Sequence, residues 1–164
     1  MRVLPKLVPL STQNSNTATF NPPQTMSFLS TNDYRPFIQD NILQQVIQND
    51  NTTLQQAELM AQAEMSSYLK TRFDTAAIFA ATGQQRNQAV VMYFIDITLY
   101  HLHSRVSPRN ISQLRADRYQ AAIEWLKMAA YGEIQPDLPQ KTDEFGKADN
   151  RLKYGGNPKP ELHY

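Results

Sequence analysis

Between Gln88 and Ser104 the chain reads QAVVMYFIDITLYHLHS, and every residue from Ala89 to Ile95 is apolar. At about 100° per residue, a run of that length covers the whole circumference of a helix. A helix that is apolar all round is enclosed by others. The rest of the chain must therefore supply elements with one apolar face each, arranged around this rod.

Three further helical patterns meet that need. One runs from about Arg35 to Gln48, with Asp33 as its expected N-cap and Pro36 in the first turn, where a missing N–H costs least. Its inward stripe is Phe37, Ile38, Ile42, Leu43, Val46 and Ile47. A second starts at Thr52 and Thr53, each followed three residues on by a glutamine in capping-box fashion, and ends near Arg72. Leu54, Ala57, Ala61, Met65, Tyr68 and Leu69 form its buried face. A connecting segment follows, with one helical turn capped by Asp74 and closed by Gly83. The enclosed helix stops at SPRN, before Pro108, and a last helix spans about Ser112 to Tyr131 with Gly132 as its C-terminal cap. Leu114, Tyr119, Ala122, Ile123, Leu126, Ala129 and Ala130 face inward, with Trp125 beside them. The expectation is an all-α fold: a small bundle of about four helices over residues 31–136, flanked by an extended N-terminal arm (1–30) and an extended C-terminal tail (137–164).

The enclosed helix also carries Asp96, His101 and His103, which invites a metal or acid–base reading. Residues two apart on a helix point about 200° away from each other, so His101 and His103 cannot chelate one ion. Asp96 and His103 share a face but stand two turns apart, roughly 10 Å. The four-residue spacing of the helical zinc pattern is absent. Asp96 is better read as a buried polar contact, to Tyr100 one turn on or to an arginine of a neighbouring helix such as Arg72 or Arg118, since a buried charge without a partner is very costly. His103 suits the helix end, where an imidazolium complements the dipole. On the second helix, Glu58 and Glu64 are six apart, and Glu64, close to the apolar face, has no second carboxylate or histidine at helical spacing. A structural pair with Lys70, Arg72 or a neighbouring helix is the expected role.

Composition narrows the classes further. The chain has no cysteine, which removes thiolate chemistry and zinc–sulfur sites, and no phosphate-binding glycine loop or serine nucleophile motif. No catalytic residue, cofactor or metal is expected. A net charge of +1 offers no basic stripe, although Arg105, Arg109, Arg115 and Arg118 cluster near the start of the last helix. Asp117 and Glu124 interrupt that patch, so a structural role outweighs base readout, and Arg105, Arg109 and Arg115 remain candidate DNA contacts. No apolar run is long enough to span a bilayer, and Pro5 and Pro9 interrupt the N-terminal segment where a signal peptide would need an apolar core. The expectation is a soluble protein made in a reducing cytoplasm, with no membrane partner.

The two flanks are not inert. Residues 1–30 hold no acidic residue and no helical or strand period, yet carry Leu4, Leu7, Val8, Phe20 and Phe28. The tail closes in RLKYGGNPKPELHY, with Tyr154, Pro158, Pro160, Leu162 and Tyr164 among turn-formers. Such segments bind in extended form, and these residues are the expected contacts with neighbouring subunits or a partner.

Four pieces, FLSTNDYRPFIQDNILQQVI, LQQAELMAQAEMSSYLKTRFD, RNQAVVMYFIDITLYHLHSR and RYQAAIEWLKMAAYGEIQPDLP, follow in order over about residues 28–139. Together they resemble the head–tail connector (adaptor, or head-completion) proteins of tailed bacteriophages, particularly the Mu-like adaptor family. The shared signature is carried by Ala61, Glu64, Tyr68, Leu69, Arg72, Phe73 and Asp74, then Leu102, His103 and Arg105, then Arg118, Tyr119, Ala122, Trp125, Leu126, Ala130 and Gly132. The resemblance implies a non-enzymatic virion protein at the head–tail interface, made in the host bacterial cytoplasm. It would form a homo-oligomeric ring, about twelve-fold, beneath the portal protein. That ring would extend the channel for packaged DNA and present a surface to tail or further connector proteins. Glu64, Arg72, Asp96, His103 and Trp125 would then be helix-packing residues. The alternative is a helical nucleic-acid-binding or regulatory module using the Arg105–Arg118 cluster.

Overall fold

The computed structural model describes residues 28–142. Its helices are α1 (Thr31–Tyr34), α2 (Asp40–Ile47), α3 (Asn51–Leu69), α4 (Thr75–Ala80), α5 (Gln88–Val106) and α6 (Gln113–Tyr131), with a 3-10 turn at Gly83–Gln85. Among the described residues the β-type pairing is one isolated antiparallel bridge, Phe73 with Gln140, so the fold is an all-α bundle as expected. The apolar stretch forms α5, whose Val90, Val91, Phe94 to Leu99 and Leu102 are buried. α3 and α6 pack along it and against each other, closing a three-helix core, and α1 and α2 cover a further side of α5. α5 and α6 run antiparallel: Tyr93 meets Trp125 at a ring separation of 4.8 Å, and Tyr100 stacks on Tyr119 at 4.0 Å.

Local chemistry fixes the helix ends. The Asn87 side chain accepts from the N–H groups of Ala89 and Val90 to start α5, and Asp74 accepts from Ala77 N to start α4. Gly132 ends α6 at φ 82, and a Cβ there would stand 3.0 Å from Arg72 Nη1. That guanidinium donates to the Ala129 carbonyl at 2.8 Å, so the glycine serves both the left-handed turn and the close approach of Arg72.

Several expectations need correction. The first helical pattern is not one helix: α1 ends at Tyr34, a turn follows, and α2 begins at Asp40. Pro36 has no N–H to give the Asn32 carbonyl, and its ring would clash there in a continuous helix. The break shifts the register, so Ile38, Leu43 and Ile47 are buried while Ile42 is 40% exposed. Asp33 is accordingly no N-cap but lies in the first turn of α1, accepting from Ser30 N at 2.7 Å. The cap of α3 is Asp50, which accepts from Thr52 N and from the hydroxyls of Thr52 and Thr53. These bonds, those of Thr52 foremost, hold its carboxyl below the usual range. Leu114, expected inside, is 67% exposed in the first turn of α6.

Residues just before α1 and after α6 pack against the bundle as well. Phe28 and Leu29 are buried at one end and Leu138 at the other. Asn87 donates its side-chain N–H to Asp137 O, Asp74 N donates to Pro139 O, and Lys141 N donates to Arg72 O. The segment after α6 is thus laid across the end of the bundle where α5 begins.

Candidate functional site

Asp96 sits inside the wall of α5, its side chain 4% exposed. Its Oδ1 is 3.4 Å from Arg118 Nε and 3.7 Å from Arg115 Nη1, both on α6. Burial pushes the carboxyl up, and the two guanidiniums pull it back down by a smaller amount. Burial likewise lowers Arg115, with Asp96 opposing it. Oδ1 and Arg115 Nη1 are each buried without a hydrogen bond, so they attract as charges only. Arg115 Nη2 donates to Phe37 O at 3.1 Å, and the Arg118 guanidinium lies over the Phe37 ring at 5.2 Å. One carboxylate and two arginines thereby pin the turn between α1 and α2 onto α5 and α6. Of the partners expected for Asp96, Arg118 is the one found; Arg72 bonds Ala129 instead, as described above.

Glu64 on α3 points between α5 and α6. Its Oε2 is 2.9 Å from His101 Nε2, and its Oε1 accepts the Tyr119 hydroxyl at 2.6 Å. Burial, and then the bond to Glu64, raises the Tyr119 phenol well above its ordinary value. Neither Lys70 nor Arg72 is the partner: the histidine missing from helical spacing on α3 comes from α5. The other carboxylate on α3, Glu58, is buried and accepts the Tyr34 hydroxyl at 2.8 Å. Burial drives that phenol up strongly as well.

A fourth contact joins α1 to the segment before α5. Arg86 grips Asp33 with two bonds, Nη1 to Oδ2 at 2.7 Å and Nη2 to Oδ1 at 3.0 Å, and also donates to Phe28 O at 2.9 Å. The hydrogen bond from Arg86 holds the Asp33 carboxyl down to about 2. Phe28, expected to contact other subunits, is buried in its own chain against Phe79 and Phe94.

His101 and His103 do part company as the spacing requires. His103 Nδ1 meets Leu99 O at 2.7 Å in the last turn of α5, on the side away from Glu64. There it lines a cleft of about 410 Å³ with Arg35, Phe37, Ile42, Leu114 and Arg115. Trp125 is half-buried against Tyr93. Arg105 and Arg109 are exposed, whereas the Arg115 side chain is 12% exposed and faces Asp96. Leu4, Leu7, Val8, Phe20, Tyr154, Pro158, Pro160, Leu162 and Tyr164 lie outside the described residues.

Chemically these are struts. Both Glu64 oxygens are engaged, Asp96 faces two cations inside a wall, and the cleft itself is lined by no carboxylate. Among the described residues no group of three or more histidine or carboxylate side chains is placed to hold a metal ion, and no helix is long and apolar enough to cross a membrane.

A family model described as bacteriophage Mu, Gp36, matches residues 24–152, most of the chain. The chain belongs to the bacteriophage Mu Gp36 family. It is thus a phage protein of Mu-like type. No curated protein and no solved structure matches this Gp36-family chain. Within it, the residues quoted above for the connector resemblance fall largely at joints between helices. Ala61, Leu69, Ala122 and Leu126 are fully buried, Glu64 and Tyr119 bridge α3 to α6, and Arg72 and Gly132 lock the end of α6.

Proposed function

We propose that this Gp36-family protein is a structural subunit of the phage particle, a head–tail connector and not an enzyme. It assembles as a homo-oligomeric ring beneath the portal, extends the DNA channel and offers a docking surface to tail or further connector proteins. The observation that carries this reading is the family match over residues 24–152. The side-chain geometry supports it, because the buried carboxylates tie helix to helix and none is aimed into the cleft. A rigid body with long flanking segments suits a ring subunit, since arms that order on binding cover a large area for few residues. Arg105 and Arg109, exposed at the end of α5 and in the loop beyond it, are then the residues of the cluster turned toward DNA. The arms, with the apolar and aromatic residues named for them, meet adjacent subunits or the portal.

Electron microscopy of the protein with the portal of its own phage tests the reading: rings stacked on the portal are expected, and persistent monomers refute it. The second reading, a nucleic-acid-binding module, rests on the same two exposed arginines. Several phosphate contacts would make affinity fall steeply with salt. Weak DNA affinity alongside portal binding favours the connector, and the reverse favours the module.

A further inference from the structure

The cleft at the end of α5 has a character that the helix-packing role does not use. Ile42 and Leu114 stand on it as exposed aliphatic side chains, at 40% and 67%. Between them the lining holds three basic residues, Arg35, His103 and Arg115, and no acidic one, while Asp40 beside it pairs with Arg35 at 3.3 Å. Asp96, behind it, is a single carboxylate set against two guanidiniums, so it leaves positive charge in excess. His103 donates Nδ1–H to the Leu99 carbonyl, so its Nε2 becomes a donor toward a carboxylate when the ring takes a second proton.

We propose that this cleft receives the segment Asp143–Glu144–Phe145 of a second copy of the chain, the phenyl ring seating between Ile42 and Leu114 and the carboxylates facing Arg35 and His103. This rests on the reading that the protein assembles with itself. Charge complementarity selects the segment. Residues 1–27 hold no acidic residue and carry Arg2 and Lys6, whereas Asp143 and Glu144 are adjacent carboxylates directly followed by an aromatic ring, with no basic residue until Lys147. Reach assigns it to a second copy. Lys141 is bonded to Arg72 O at the end of the bundle where Arg72 also holds Ala129, near the C-terminus of α6. The cleft lies at the other end of α6, fourteen residues from Ala129 at Arg115, or about 21 Å along the axis. From Lys141 to Phe145 a fully extended chain spans at most about 14 Å. The foot of one copy therefore meets the head of the next. The contact is heterologous, of the kind that closes into a ring when the rotation per subunit allows it.

The chain has no native cysteine, which makes the contact directly testable in full-length protein. Two singly substituted chains, Leu114→Cys and Phe145→Cys, are mixed, checked for native circular dichroism, concentrated to the solubility limit and oxidised. A mixed disulfide dimer is expected, several-fold above the control pair Leu59→Cys with Phe145→Cys, since Leu59 is equally exposed but lies on α3. Adding Asp143→Asn and Glu144→Gln to the Phe145→Cys chain is expected to lower the yield several-fold, as is high salt. The proposal is overturned if the mixed dimer does not exceed the control. It is also overturned if a chain carrying both cysteines closes on itself at high dilution, or if Leu114→Cys pairs preferentially with Phe20→Cys. A ring beneath the portal without this disulfide would sink the contact and leave the connector reading standing. The disulfide in a protein that never engages a portal would do the opposite.

Discussion

Asp33 and Arg86 join parts of the chain 53 residues apart, and their link has a pH signature. The carboxylate is held to about 2 by the Arg86 hydrogen bonds, against roughly 3.9 for an unperturbed aspartate. That difference corresponds to about 2.6 kcal/mol of folding stability carried by the ionised form, before any screening by solvent. The side chains are 17% and 15% exposed, so solvent screens the pair only partly. A depressed carboxyl stabilises the fold above the unfolded value and loses that contribution as pH falls through the folded one. The window therefore runs from about pH 4 down to about pH 2. Asp33→Asn removes the charge at nearly constant shape. Near neutral pH the variant is expected to be about 2 kcal/mol less stable, or about 5–10 °C lower in melting temperature for a domain of this size. The measurement is urea unfolding of wild type and variant followed by circular dichroism at intervals between pH 7 and pH 2. The gap should be flat down to about pH 4 and close toward pH 2. A gap that stays constant across the whole range would refute the reasoning, because a loss of shape or of a neutral hydrogen bond does not titrate.

Asp96→Ala should cost about 2–4 kcal/mol, because Arg115 keeps its burial and loses its counter-charge; denaturant melts check this, and elemental analysis should show the same metal content in both proteins, with stoichiometric metal in wild type overturning the structural reading of Asp96. Gly132→Ala should lower stability by about 1–2 kcal/mol through the left-handed φ, and more where the Arg72 guanidinium has to withdraw. Combined with Arg72→Lys its effect should be less than additive, since both changes loosen the same Ala129 bond. Tyr119→Phe removes the hydroxyl that Glu64 Oε1 accepts and should cost about 1–2 kcal/mol; an unchanged unfolding midpoint would show that the α3–α6 strut carries no stability.

What could be read in the sequence, and what could not, follows from how far each signal reaches along the chain. Helical period is local, and it located the enclosed rod, the ends of α6 and the turn capped by Asp74, all settled by residues within a few positions. It also separated His101 from His103, because two residues on one helix have a fixed angle between them. Period says which way a side chain faces but not which residue of another helix meets it. Glu64 was visible as an inward carboxylate, yet His101 and Tyr119 stand 37 and 55 residues away. Asp96 is instructive in the opposite sense: a charge inside an apolar rod demands a cation from a neighbouring helix, and that physical demand brought Arg118 within the small set considered. Arg115 stands with the exposed arginines in the sequence by proximity alone. The angular advance along α6 turns it inward with Arg118, one turn on, while Arg105 and Arg109 lie outside that helix. Asp96, His101 and Glu64, which first suggest chemistry in this chain, thus take their partners from other helices, whereas His103 bonds Leu99 of its own. In a small bundle without cysteine, such cross-links are what set one packing of smooth apolar helices apart from its alternatives.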